Sequence, residues 1–523
     1  MIEIMSEVRI VNICTTIVKR NNGIGFGSWA CFSVSLLCFF LANTSIANET
    51  PNIILLMGDD HGWDETAYNG HPHLKTPILD EMANSGLRFD RFYSAHPSCS
   101  PTRGSVLTGR HPVRYGTFAP NFSIRQEEKT IAHLLKKKGY ATGHFGKWHL
   151  GPVKSTSPTS PGAMGFNQWL SHDNFFELNP TFSRNGGPPQ KFTGESSEIV
   201  VAETIRFLEK TRQANQPFLA VVWFGSPHEP YSGLPEDLAL YDHLPSEYSQ
   251  TKVRLTSNKT GRQIKRSLRE VLRERYAEIT AMDRSIGQLR DWLRQNKLRD
   301  NTLLWYCGDN GTPGDGIVTS PLRGQKGNLY EGGIRVPGIL EWPAKITSPR
   351  LSKMNVVTSD LLPTICSLAE VALPKRPLDG IDLSLSIKGQ MLQRPQPIGF
   401  WSFDINGESK NQPYIEADLQ RGTTPLVKLM GDISTRNFRN FHHPKISQQD
   451  YSGSRALIDN RYKFIIRGKR GMPSQKELFD LRADPGEKNN LMTSKPKIAT
   501  TMQKQLRDWQ ESVLESLSGA DYR

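Results

Sequence analysis

Cysteine is scarce in this 523-residue chain: the six stand at positions 14, 31, 38, 99, 307 and 366. So few, so scattered, exclude a fold stapled by disulfides. Long apolar runs are missing as well. The only strongly apolar one, Trp29–Ala42, falls short of the ~20 residues that span a bilayer as a helix, which excludes a polytopic membrane protein. No internal repeat is evident and no nucleic-acid-binding module can be recognised, so nucleic acid is not an expected partner. What remains is an ordinary globular composition, 37% hydrophobic and 22% charged with 43 Gly and 34 Pro. The length allows one large enzyme core or two to three domains.

Trp29–Ala42 follows Arg9, Lys19 and Arg20 and runs into Asn43-Thr44-Ser45-Ile46-Ala47. A basic lead, a short apolar stretch and a small-x-small exit predict a secretory signal peptide over residues 1–47. The expected product is exported, periplasmic or secreted, with no stable membrane span. It keeps Cys99, Cys307 and Cys366, and its net charge is one below the +13 of the whole chain. A basic balance favours anionic partners without choosing among them. An odd number of cysteines in an oxidising compartment raises the question whether one has another use.

Three nearly continuous apolar runs, Asn52–Met57, Phe218–Phe224 and Thr302–Cys307, read as strands buried on both faces. Helical patterns lie between them: Glu127–Lys138, Ser197–Ala214 and a long one over Gln263–Lys297. In the last, Ile264, Leu268, Leu272, Tyr276, Ile279, Met282, Ile286, Leu289 and Leu293 recur at three- and four-residue steps. Its many arginines are expected on a solvated face. Alternation of strand and helix predicts an α/β main domain, residues 48–387. Beyond it the alternation fades. Residues 405–450 are polar and aperiodic and read as loops, Ser454–Ile458 and Tyr462–Arg467 as a hairpin, Glu477–Leu481 as another strand and Ile498–Leu517 as a terminal helix. Residues 398–523 thus form a smaller α+β subdomain.

Each apolar run stops at polar residues: Gly58-Asp59-Asp60-His61-Gly62, Gly225-Ser226-Pro227-His228 and Gly308-Asp309-Asn310-Gly311. In open α/β sheets reactive groups collect beyond the carboxyl ends of strands. Four oxygen-bearing side chains, Asp59, Asp60, Asp309 and Asn310, favour a hard divalent cation such as Ca²⁺ or Mg²⁺. One acidic pair alone is an ordinary turn; two pairs at two strand ends carry more.

Cys99-Ser100-Pro101-Thr102-Arg103, continuing to Leu107-Thr108-Gly109-Arg110, resembles the hallmark of the type I, formylglycine-dependent sulfatases of the alkaline phosphatase superfamily. The resemblance extends to Asp59-Asp60, Gly146-Lys147-Trp148-His149-Leu150-Gly151, Pro227-His228, Asp309-Asn310-Gly311 and Gly324-Gln325-Lys326-Gly327. Tyr462-Lys463, Glu477–Leu481 and Asp484-Pro485-Gly486-Glu487 look like the family's C-terminal signature, so the motifs keep family order from about residue 50 to 491.

This resemblance implies a large, mixed, mainly parallel sheet flanked by helices, a smaller domain with an antiparallel sheet, and hydrolysis of sulfate monoesters. It implies one divalent cation, Ca²⁺ ahead of Mg²⁺, on Asp59, Asp60, Cys99, Asp309 and Asn310, and a maturation enzyme that oxidises Cys99 to formylglycine. The hydrated aldehyde has two hydroxyls on one carbon: one attacks sulfur, and the other, deprotonated, expels sulfate and restores the aldehyde. The cation would polarise the sulfuryl oxygen and acidify the hydrate. Asp309 is the candidate to accept the attacking hydroxyl's proton. Arg103, four residues after Cys99, can share its helical face and steady the charged groups. By similarity His149 takes the second hydroxyl's proton, His228 protonates the leaving alcohol with Lys326, and Lys147, His228 and Lys326 surround the sulfate. Ser171, in Ser171-His172-Asp173, is a further candidate contact. The basic balance favours a sulfated carbohydrate over a small aryl ester.

Plainer readings stand beside these. Cys307 reads as a small buried thiol, and His61, His71, His73, His442 and His443 as polar residues without a zinc spacing. Taken singly, Arg103 and Lys147 would be surface charges. Two rival functions remain. One is a formylglycine-dependent phosphonate or phosphate ester hydrolase, which Lys147 and Lys326 disfavour. The other is a non-catalytic sulfated-glycan binder with Cys99 unconverted, which the intact catalytic positions disfavour.

Overall fold

The computed structural model describes residues 50–257, 260–405, 412–420, 424–425 and 437–523; the predicted leader lies outside them. The three apolar runs are strands β1 (Asn52–Gly58), β7 (Phe218–Trp223) and β10 (Thr302–Gly308), buried except for Asn52. β1 lies between the other two and is parallel to both, in register from Asn52↔Thr302 to Gly58↔Gly308 with β10. β3 (Ala141–Lys147) continues the parallel set beyond β7, and β4 (Gln168–His172) beyond β3. Antiparallel β5 (Thr181–Arg184) and β6 (Pro189–Lys191) close that edge. On the other flank β12 (Gly338–Glu341) is antiparallel to β10, and β2 (Leu87–Tyr93) antiparallel to β12. β2 also pairs with β11 (Arg335–Val336) and, in parallel, with β13 (Arg350–Val357). The sheet is therefore mixed with a parallel centre.

Successive side chains of a strand point to opposite faces, and β1 uses both. Ile53, Leu55 and Met57 pack with Leu219, Val221 and Trp305 under the helices Cys99–Thr108, Ile131–Lys137 and Leu361–Leu368. Ile54 and Leu56 pack with Ala220, Val222 and Leu304 under Ser196–Gln213 and Leu268–Gln295. The result is three layers, helix on sheet on helix.

The long helix corrects two expectations. It begins at Leu268, because Gln263–Ser267 forms a strand, β9, antiparallel to β8 (Lys252–Thr256). Ile264 is consequently off the helix and exposed. Nor are its arginines all solvated: Arg275 and Arg290 are buried, paired with Glu65 and with Glu341.

The second sheet is antiparallel, in the order β14 (Ile398–Phe403), β15 (Gly453–Ile458), β16 (Tyr462–Arg467), β17 (Gln475–Asp480). One face carries the helix Pro496–Leu517 through Leu457, Phe464 and Leu478 against Met502 and Leu506. The other packs Phe400, Ala456 and Ile465 against Tyr93, Ile334 and Val357 of the main body. Among the described residues no helix is long and apolar enough to cross a membrane.

Candidate active site

Register builds the centre of the site. Because Gly58 lies opposite Gly308, the residues after β1 and β10 emerge side by side. The main chain continues the pairing one step, Asp309 N donating to the Gly58 carbonyl at 3.1 Å and Asp59 N to that of Ser226 at 2.9 Å. Asp60 then turns at φ +60°, its N–H donating to Asp309 Oδ1 at 2.8 Å. Buried Arg275 secures this turn. It donates to the Asp60 carbonyl at 2.7 Å and to the Pro227 carbonyl at 2.5 Å, while gripping Glu65 at 2.6 and 2.5 Å.

Cys99 opens a helix that is buried throughout, Cys99–Thr108, after extended Ser98. Its Sγ donates to Asp60 Oδ1 at 3.6 Å. One turn on, Arg103 donates to Asp309 Oδ2 at 2.7 Å and to the Lys147 carbonyl at 3.2 Å, and stands 3.4 Å from Asp59 Oδ1. The end of β3 delivers Lys147, whose Nζ donates to Asp59 Oδ2 at 2.5 Å. Gly146 permits this close approach: at φ +99° a Cβ there would meet the Trp223 carbonyl at 1.9 Å. Lys326, from the Gly324–Gly327 loop, donates to Asp60 Oδ2 at 2.6 Å. His228, after β7, stacks on Phe175 at 4.6 Å, bonds the Glu229 carbonyl through Nδ1 at 2.5 Å and turns Nε2 to within 3.6 Å of Asp60 Oδ2.

Three carboxylates and three cationic side chains thus share one buried cluster, and their titration is tied together. Burial raises the Asp309 carboxyl to about 7, with Asp59 adding and Arg103 opposing. Burial also acts upward on Asp60, but Lys326 and His228 bring it down to about 2. Asp59 is held well below the carboxylate range by Lys147, His228 and Arg103 against the same burial. Burial takes His228 down to about 3 and pushes the Cys99 thiol far up, so position 99 is no reactive thiolate.

Two oxygens in this cluster, Asp59 Oδ1 and Asn310 Oδ1, are buried without a hydrogen-bond partner among the described residues. Ligand atoms of Asp59, Asp60, Cys99 and His228 lie within 4.8 Å of one another. The residues fit a cation that prefers oxygen donors. Sequence reasoning counted His228 with the substrate; geometry also brings it among these ligand atoms.

Beside the cluster lies a cavity of about 360 Å³ lined by Cys99, His149, Asn174, His228 and Lys326 among others. Ten of the eleven site candidates read from sequence therefore meet at one place. Ser171 does not line it: its hydroxyl bonds His144 Nδ1 at 2.7 Å within the sheet. His61 is held by Tyr306 and the Glu65 carbonyl, the plain role expected of it. The residue sequence reasoning missed is Asn174, three positions on. It is fully buried, lines the cavity, and has neither amide atom hydrogen-bonded among the described residues. Its signal was the familiar one, a polar residue just past a strand end.

The sulfatase family profile matches residues 51–371. The N-acetylgalactosamine-6-sulfatase of Mus musculus is 30% identical over 389 residues, 67% of this chain and 68% of that one. The ulvan-active sulfatase of Formosa agariphila is 29% identical over 458 residues, 86% and 78% of the two chains. The crystal structure of Ps i-CgsB in complex with k-i-k-neocarrahexaose shares the fold, with a TM-score of 0.68 at 24% identity over 89% of this chain and 93% of that chain. A family match over more than half its length, with relatives at 30% identity over two thirds of both chains, means that this chain belongs to the sulfatase family and is a sulfuric ester hydrolase.

Proposed function

We propose that the protein removes sulfate from a sulfated carbohydrate, with formylglycine at position 99 and one divalent cation. The observation that carries this reading is the pair of buried oxygens that accept no hydrogen bond from the described residues, Asp59 Oδ1 and Asn310 Oδ1, in the cluster that Cys99 also enters. A charged, buried cluster left short of partners is built for a ligand. Asp59, Asp60, Asp309, Asn310 and residue 99 would hold the cation, Ca²⁺ before Mg²⁺, which when bound supplies Lewis acidity to the sulfuryl oxygen. Formylglycine at 99 supplies a hydrated carbonyl in place of a thiol that burial keeps protonated.

The remaining tasks fall to side chains in place. Lys147 and Lys326 offer point charges to sulfuryl oxygens. Asp309, oriented by the Asp60 N–H and by Arg103, would accept a proton from the attacking hydroxyl. Arg103 keeps Asp309 and Asp59 oriented. His149, in the cavity wall, would accept the proton of the second hydroxyl were position 99 converted. His228 Nε2 and Lys326 Nζ both approach Asp60 Oδ2, at 3.6 and 2.6 Å, and together serve the departing alkoxide. Asn174, with a donor and an acceptor both free, suits a sugar hydroxyl next to the ester. The sugar reading draws on the relatives, one named for N-acetylgalactosamine 6-sulfate and another for ulvan. Export under the 1–47 leader, conversion of Cys99 by a maturation enzyme, and a division into a catalytic domain of 48–387 and a subdomain of 398–523 complete the proposal.

The test is mass spectrometry of the tryptic peptide Phe92–Arg103 from protein coexpressed with a formylglycine-generating enzyme, joined to rates on 4-nitrophenyl sulfate and 4-nitrophenyl phosphate. The aldehyde or hydrate mass and a sulfate preference are expected. An alkylatable thiol in active protein would sink the formylglycine mechanism, and a large phosphate preference would favour the rival hydrolase.

A further inference from the structure

We propose that the β8–β9 hairpin is a docking arm for further anionic groups on the chain that carries the scissile sulfate. This rests on the sulfated-carbohydrate reading and adds to it that the substrate is a polyanionic polysaccharide rather than a lone sulfated sugar.

Residues 251–269 contain seven Lys and Arg and no Asp or Glu. The register sorts them. Arg254 lies directly across from Lys265, between the pairs Lys252↔Ser267 and Thr256↔Gln263. Residues two apart share a face of a strand, so Lys252, Arg254 and Lys265 stand on the same face as Thr256. That residue lines the catalytic cavity together with Cys99, and so does Gly261 from the connecting turn. The cationic face is therefore continuous with the wall of the active site. At ~3.3 Å per residue, Arg254 lies about 7 Å and Lys252 about 13 Å along the strand from the cavity wall.

The two faces differ in kind. The opposite one anchors the hairpin: Leu255 is buried with Tyr231 and Val271, Val253 packs beside them, and Arg266 is gripped by Glu274 at 2.8 and 2.7 Å. On the face toward the cavity, Lys252, Arg254 and Lys265 are exposed, and none has a carboxylate partner among the described residues. A like-charge pair directly across two strands opposes pairing, and a two-stranded ribbon has little stability to spare. An anion lying between Arg254 and Lys265 would offset that repulsion. The cavity itself takes one sulfate ester, so the anion on the hairpin must be another group of the same ligand, farther along its chain.

The test uses the full-length, converted enzyme with heparin as a sulfated polysaccharide probe, 4-nitrophenyl sulfate as a small substrate, and single-stranded DNA as a polyanion of another class. Two variants are needed. Arg254→Ser with Lys265→Ser removes both charges. Arg254→Glu places a carboxylate opposite Lys265, so the hairpin gains an ion pair while its anion site is cancelled. Both are expected to weaken heparin binding at least ~10-fold at 0.1 M salt and to flatten its salt dependence. Both should leave kcat/KM on 4-nitrophenyl sulfate within about twofold. Unchanged heparin binding would overturn the proposal. So would an equal fall in aryl sulfate turnover, which would make the hairpin merely structural. Binding of DNA as tight as that of heparin, lost in the same variants, would also overturn the assignment to glycans. A wild-type enzyme inactive on 4-nitrophenyl sulfate would instead count against the proposed function, while the binding comparison would still report on the hairpin.

Discussion

Two arginines, Arg103 and Arg275, are fully buried and both reach the Asp59–Asp60 turn, yet they sit in networks of opposite character. Arg275 has a fork matched to both oxygens of Glu65, and its remaining donors meet the carbonyls of Asp60 and Pro227. Arg103 divides its donors between Asp309, the Lys147 carbonyl and a 3.4 Å approach to Asp59 Oδ1, in a cluster where Asp59 Oδ1 and Asn310 Oδ1 accept no hydrogen bond from the described residues. Burying charges costs several kcal/mol unless partners repay it, about the same burden for both sites. The closed network is scaffolding. The open one has been left short where a ligand would complete it, and that distinguishes a site from a support better than charge or burial does.

Substitution should separate them, most sharply at the open network. Asp59→Asn keeps the shape but takes away the charge facing Lys147 and Arg103. It is expected to lower kcat/KM on 4-nitrophenyl sulfate by ~10³-fold or more, as for loss of a main electrostatic group. The same variant should lose the cation's effect on stability. In wild type a cation at a hundred times its Kd adds ~2.7 kcal/mol, read as a rise in Tm. A Tm that rises equally in the variant would move the cation away from Asp59. Arg275→Met should do the reverse. With Glu65 left buried and unpaired it costs ~3–5 kcal/mol, while activity per folded molecule falls no more than ~10-fold. If its activity collapsed without loss of stability, the division drawn here would fail.

Asn174 refines the same comparison inside the cavity. Asn174→Leu removes two unpartnered polar atoms and should not destabilise the free protein. On a sulfated sugar kcat/KM is expected to fall ~10–100-fold, roughly the worth of one or two hydrogen bonds to substrate. On 4-nitrophenyl sulfate, which has no sugar hydroxyls, the rate should hold. Parallel losses on both would place Asn174 on the sulfate itself.

How far sequence reaches follows from what is local. The carboxylate pairs are legible because each apolar run ends in its own polar residues, and parallel register then places Asp59 beside Asp309. Lys326 and His149 carry no such mark and are legible only by resemblance. Arg275 looks like any arginine on an amphipathic helix, since its partner Glu65 is 210 positions away. Ile264 continues the helical spacing of Leu268 and Leu272, yet it belongs to a strand, because pairing of Leu255 with Ile264 outweighs a local pattern. Asn174 stands just past a strand end, a mark shared with many turn residues, and only the cavity shows that its amide has nothing to bond among the described residues.

The smallest expected effect, that of Cys307→Ala, comes from a comparison between two side chains of the same kind. Cys99 and Cys307 are both buried, disulfide-free and pushed well up from the usual thiol range by burial. Burial therefore cannot tell them apart; surroundings do. Cys307 sits on β10 opposite Met57 and Gly338 and packs in the apolar core, within reach of the Asp309 and Arg103 charges but outside the lining of the cavity. Cys99 faces a carboxylate and lines the cavity. Cys307→Ala should cost ~1–2 kcal/mol in denaturant unfolding, in the ordinary range for a trimmed core side chain, and leave kcat/KM unchanged. Cys99→Ala should change stability by no more than that and abolish turnover. Were Cys307→Ala to lose activity while keeping its unfolding midpoint, the thiol on β10 would have a role that its apolar surroundings do not account for.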